Sequence, residues 1–116
     1  MKKSTVLAFL ACVALLPFCT TSRKAMSNKK MPDYSYAKDI APVMQARCTP
    51  CHFPDGGKKK FLDTYAAVTT NIEDIMYRIQ LPQDSARFMP WKGKKEPLND
   101  SLILVFKTWK ETGMKE

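Results

Sequence analysis

Apolar residues in this 116-residue chain follow two different rhythms. From Val6 to Phe18 they run almost unbroken, interrupted only by Cys12 and Pro17. Further on they recur every third or fourth position. Ile72, Ile75, Met76 and Ile79 fall at i, i+3, i+4 and i+7, and Leu102, Val105, Phe106 and Trp109 repeat the spacing. Each stripe predicts an amphipathic helix with one buried face.

Cap and breaker residues set the expected bounds. Asp39 is placed to cap a first helix through Ile40, Ala41, Pro42, Val43, Met44 and Ala46 to Cys48, with Pro42 in the first turn where its missing N–H costs little. Phe53 to Lys60, with Pro54, Asp55, Gly56 and Gly57, reads as a loop. Thr64 to Thr70 predicts a short helix started by Asp63 or Thr64. Asn71 is expected to cap the next, with Glu73 and Asp74 in its first turn beside the positive end of the helix dipole. Leu81 to Pro97, carrying Pro82, Pro90, Gly93 and Pro97, predicts a long irregular loop, and loops of that length in small domains are usually functional. Asn99 caps the last helix and Gly113 stops it. No strand pattern or internal repeat is present. The expected fold class is all-α, with three or four short helices.

The unbroken apolar run has another meaning. Met1-Lys2-Lys3 gives it a positive start, and the run is too short to span a bilayer, so residues 1–19 read as a signal peptide. Leu16-Pro17-Phe18-Cys19 resembles a lipobox, which would place a lipid on Cys19. Residues 20–33 are polar and basic and read as a flexible tether reaching roughly 20 Å. Residues 34–116 form the domain. These features predict an exported chain of a bacterial periplasm or cell envelope, either anchored to a membrane as a lipoprotein through Cys19 or released by simple cleavage between Thr20 and Ala25.

The chemistry concentrates in Cys48-Thr49-Pro50-Cys51-His52. A C-x-x-C-H run is the attachment signature of a c-type haem. Two thiols at this spacing can each bond one vinyl group on a haem edge, and the following histidine then serves as proximal ligand to the iron. His52 is the only histidine of the chain. A zinc site, a redox-active thiol pair and a structural disulfide are the competing readings. Zinc would want four ligands, a thioredoxin-like pair would want a βαβ context, and a disulfide leaves His52 without a role.

An iron bound by His52 needs a second axial ligand, and methionine is the natural donor. Met26 and Met31 fall in the tether, Met114 at the terminus, Met44 one turn before the thiols and Met76 in a core stripe. Met89 lies in Arg87-Phe88-Met89-Pro90-Trp91, inside the long loop, where the following proline favours a stiff extended backbone. Met89 is therefore the predicted distal ligand.

The 19 basic and 11 acidic residues give a net charge of +8, with lysines grouped at 58–60 and at 92, 94 and 95. No nucleic-acid motif accompanies them, so they point to acidic redox partner proteins rather than to DNA or RNA. Nothing pairs carboxylates or sets a nucleophile beside a base, so no enzyme activity is expected. A domain of this size has a marginal core, and a covalent haem would complete it.

Together these features resemble a class I monohaem cytochrome c, over about Tyr34 to Gly113. The resemblance implies haem thioethers at Cys48 and Cys51, iron ligands at His52 and Met89, and electron transfer between periplasmic or membrane partners. It also implies that the first and last helices cross, with Phe106 or Trp109 near the haem. The family commonly sets a proline carbonyl on the imidazole N–H about a dozen residues after the histidine. Phe61, Leu62 and Asp63 occupy that region here, so another backbone carbonyl must orient His52. Trp91 follows Pro90 where a second proline is frequent, and its indole is expected to reach a haem propionate. Two alternatives accompany this reading: an open-site haem domain for gas sensing, and an accessory haem subunit docked on a larger oxidoreductase.

Overall fold

The computed structural model describes residues 30–58 and 60–116. The proposed signal peptide, Cys19 and nearly all of the tether lie outside the described residues. Among the described residues the fold is all-α, with no strand.

The first helix starts earlier than the cap pattern predicts. Ser35, not Asp39, is the N-cap, and its hydroxyl accepts from the Lys38 N–H. Asp39 still caps, but from inside the helix: its carboxylate reaches back to the Ser35 N–H at 2.8 Å. Tyr36–Ile40 is a π-helical turn that runs directly into α1, Ala41–Cys48. Proline removes an N–H and crowds the preceding turn, and a wider π turn relieves both demands. Pro42 is the second residue of α1, in its first turn as the sequence predicts, directly after the π turn.

The two expected helices around Asn71 are one. Helix α2 spans Tyr65–Ile79, capped by Thr64, whose hydroxyl accepts from the Ala67 N–H. Asn71 lies in its middle and donates its side-chain amide to the Ala67 carbonyl at 2.7 Å. Glu73 and Asp74 are therefore mid-helix, and Asp74 instead pairs with Arg78 one turn on. The expected stripe of Ile72, Ile75, Met76 and Ile79 is buried. Helix α3, Asp100–Glu111, is capped by Asn99, whose side chain accepts from Leu102 N–H at 3.0 Å. It buries Phe106 and Trp109, while Leu102 and Val105 are half-buried. Gly113 follows the helix with φ +98°, a conformation that favours glycine.

Helix α3 packs on α2 and on the π turn. At that crossing Trp109, fully buried, lies beside the Tyr36 and Tyr65 rings. The C-terminal residues close over them. Lys115 accepts at its carbonyl from the Trp109 indole at 2.7 Å and from the Tyr36 N–H at 2.8 Å, and the Tyr65 hydroxyl donates to the Met114 carbonyl. The remaining wall is the irregular segment between α2 and α3, interrupted only by a short 3-10 turn at Trp91–Gly93.

Candidate functional site

A cavity of about 700 Å³ opens between the end of α1, the loop after it, α2 and the α2–α3 loop. That lies within the range of about 300–1,000 Å³ usual for ligand pockets. Cys48, Cys51, His52 and Met89 all line it. The four sequence-predicted residues thus come from two distant stretches of chain to one space. Of the methionines among the described residues, Met89 alone lines the cavity; Met44 and Met76 belong to the core.

Local folding explains how each residue arrives there. Helix α1 carries Cys48 in its last turn, and the chain then tightens so that His52 N–H donates to the Cys48 carbonyl at 3.1 Å. Gly57 lets the following loop close on this turn. Its N–H donates to Phe53 O at 2.8 Å, and a Cβ there would come within 2.5 Å of Phe53 O and 2.6 Å of Cys51 O. Only glycine allows that backbone approach. Leu62 N–H then bonds His52 O at 2.8 Å.

The His52 ring is fixed by one carbonyl. Nδ1 lies 2.7 Å from Lys60 O, so it carries the proton and donates, leaving Nε2 with its lone pair. This is the orienting partner that the sequence left unnamed. It was illegible because a backbone carbonyl has no residue signature.

The two thiols differ. Cys48 is half-buried, with its Sγ 3.8 Å from Met44 Sδ, and burial pushes its thiol pKa up to about 11. Cys51 is exposed. Both are free, with no disulfide between them. Among the described residues, no group of three or more His, Cys, Asp or Glu side chains is gathered so as to hold a metal ion. Cys48, Cys51 and His52 all line the cavity without forming such a group.

Met89 is placed by its neighbours. Phe88 and Pro90 on either side are buried, and the Met89 N–H donates to the Arg78 carbonyl near the end of α2 at 3.3 Å. An ion pair between Arg47 and Glu96, 2.7 Å, ties the same loop to α1.

Leu62, Ile75, Ile79 and Leu98 give the cavity an apolar wall. Its polar lining is dominated by cations: Arg47, Lys60, Arg78, Lys94 and Lys95 against the single carboxylate of Asp74. The Arg78 guanidinium, hydrogen-bonded at 2.8 Å, holds the Asp74 carboxyl below its ordinary pKa, with Lys60 and Arg87 adding to the effect. Trp91 also lines the cavity but is half exposed, with the Lys92 ammonium 4.8 Å from its ring centroid. Phe106 and Trp109, expected near this site, do not line it; the Trp109 ring packs into the aromatic crossing.

Compared with known proteins, the chain matches no family model, no curated protein and no solved structure.

Proposed function

We propose that the domain is an electron carrier built around one covalently bound c-type haem, related in design to the class I cytochromes c. One observation carries this reading above the others. Both thiols of a C-x-x-C-H run, its histidine and a single methionine from a remote loop line one cavity of ligand size.

The residues present fit such a group on three counts. The wall of Leu62, Ile75, Ile79 and Leu98 suits a large apolar ring. The cationic lining suits the carboxylates at the ring's edge. The donor set of one imidazole and one thioether is that of an electron-transfer haem. When bound, the haem would supply a one-electron ferrous–ferric couple.

The chain's residues take separate roles. Cys48 and Cys51 would hold the haem, each through a thioether to one of its vinyl groups. His52 offers Nε2 because Lys60 O holds the proton on Nδ1. Met89 offers a soft thioether, which favours the ferrous state. Lys92, Lys94 and Lys95 present positive charge to an acidic redox partner. Residues 1–19 would carry the chain to the cell envelope, and a lipid on Cys19 would hold it at a membrane through the 20–33 tether. No substrate is transformed, so the chain acts as a carrier and not as an enzyme.

The test is an optical spectrum of the chain produced with a cytochrome c maturation system, in both redox states. The expected result is a covalent haem with the weak far-red sulfur–iron band in the ferric form, lost in Met89→Ala. His52→Ala is expected to leave little stable haem protein. A covalent haem without that band, responding to carbon monoxide, would replace the carrier with an open-site sensor. No haem in the native chain would overturn the reading.

A further inference from the structure

The carbonyl that orients His52 belongs to a residue with no helix around it. Lys60 lies in the irregular stretch between the C-x-x-C-H turn and α2. A loop carbonyl is only as fixed as the peptide that carries it. One restraint on this stretch is the bond from Leu62 N–H to His52 O, 2.8 Å. The second comes from the Lys60 side chain itself, whose ammonium donates to Asn71 Oδ1 at 2.8 Å.

We propose that Asn71, acting through Lys60, is a positioning residue for the His52 imidazole. Asn71 sits in the middle of α2 and is itself fixed, since its Nδ2 donates to Ala67 O at 2.7 Å. An amide whose nitrogen is committed in this way has its oxygen left to accept. A lysine side chain free in water samples many rotamers, and anchoring its end restricts the backbone that carries it. The connection therefore runs from helix to amide, to ammonium, to the Lys60 peptide and to the ring. A well-made bond at Nδ1 fixes the tautomer and raises the donor strength of Nε2. The consequence for a bound iron rests on the haem reading above; the hydrogen-bond chain does not.

The substitutions that test this leave the fold intact. Alanine at 71 is a better helix former than asparagine, so Asn71→Ala keeps α2. Lys60→Met keeps the stem and the carbonyl and removes the ammonium. The readouts are solvent exchange of the His52 Nδ1 proton, followed by NMR on the ¹⁵N-labelled full chain, and the midpoint potential of the haem protein. Both variants are expected to speed exchange by about fivefold, the factor that one net hydrogen bond supports. Asn71→Ala, which leaves every charge in place, is expected to shift the potential upward, because a weaker donor stabilises ferric iron less. In exchange, the double variant should behave like either single one. Wild-type exchange in either single variant, or additive effects in the double, would overturn the proposal. If the native chain carries no haem, ring-proton exchange still decides the role of Asn71, while the missing haem overturns the functional reading alone.

Discussion

The two ends of this domain are finished in different ways. At the aromatic crossing, Trp109 is fully buried, Tyr36 and Tyr65 pack against it, and the indole and the Tyr65 hydroxyl find carbonyl partners within the chain. At the cavity, Ile75, Ile79, Leu62 and Leu98 present apolar surface to a space that no side chain fills. A domain this small buries a modest fraction of its surface. The contrast teaches that one core is closed at one end by the chain's own aromatic and carbonyl partners and bordered at the other by a cavity of ligand size, which the haem reading would fill.

The most damaging way to break this contrast is at the finished end. Trp109→Ala should cost about 3–5 kcal/mol, as large aromatic truncations in cores do. Denaturant unfolding should find that loss whether or not haem is attached. If covalent haem rescued it fully, the two ends would not be independent.

A second test sharpens the difference through pH. In the haem-free chain the folded Cys48 thiol has its pKa raised by burial to about 11, against 9.0 for an ordinary thiol. Folding therefore favours the neutral thiol. Its contribution is fully present below pH 9.0 and is lost as pH climbs toward about 11. The magnitude is up to about 3 kcal/mol. Denaturation midpoints measured across that window should fall, and Cys48→Ser should remove the cysteine's share of the fall. A thioether at Cys48 has nothing to titrate, so the haem-bearing chain should lack this component too.

Gly57→Ala probes the join between the motif and its loop. The added methyl would meet the Cys51 and Phe53 carbonyls, and the shift needed to relieve it should cost about 1–3 kcal/mol. Haem incorporation measured by mass spectrometry should drop with it, since the turn holding Cys51 and His52 is what moves. Unaltered incorporation and stability would mean that the loop yields without disturbing the motif. The smallest effect belongs to the surface. Changing Lys92, which does not line the cavity, to glutamate should leave stability nearly unchanged and slow electron transfer to an acidic partner at low ionic strength. The difference should fade as salt screens it.

Sequence made much of this legible, and the misses share a cause. The stripes on α2 and α3 were readable because burial forces a period on apolar residues, and Ile72, Ile75, Met76, Ile79, Phe106 and Trp109 are buried accordingly. The residues of the cavity were readable because their chemistry is scarce: one histidine, one C-x-x-C run, and, of the two methionines that precede a proline, Met31 in the tether and Met89 in the long loop, only the second inside the domain. Cap residues were less legible. Asp39 and Asn71 have side chains suited to starting helices, yet both serve from inside one, Asp39 by reaching back to Ser35 N–H and Asn71 by bonding Ala67 O. Short polar side chains can satisfy either backbone neighbour, and only the tertiary context chooses. The aromatic crossing went unread because Tyr36 and Tyr65 carry no helical period relative to Trp109; they meet it only after folding.

Helix α2 holds the chain's two candidate iron ligands by separate attachments. Asn71 receives the ammonium of the residue that orients His52, and the Arg78 carbonyl receives the N–H of Met89. These points are about two turns apart, roughly 10 Å along the axis. The helix therefore works as a gauge block: the spacing of the two sides is referenced to one rigid element rather than to the loops that carry them. Either loop can change its sequence and length while the gap stays constant, provided both attachments remain. One residue inserted between Asn71 and Arg78 would turn one attachment by about 100° relative to the other, and no adjustment confined to a single loop would restore the original register.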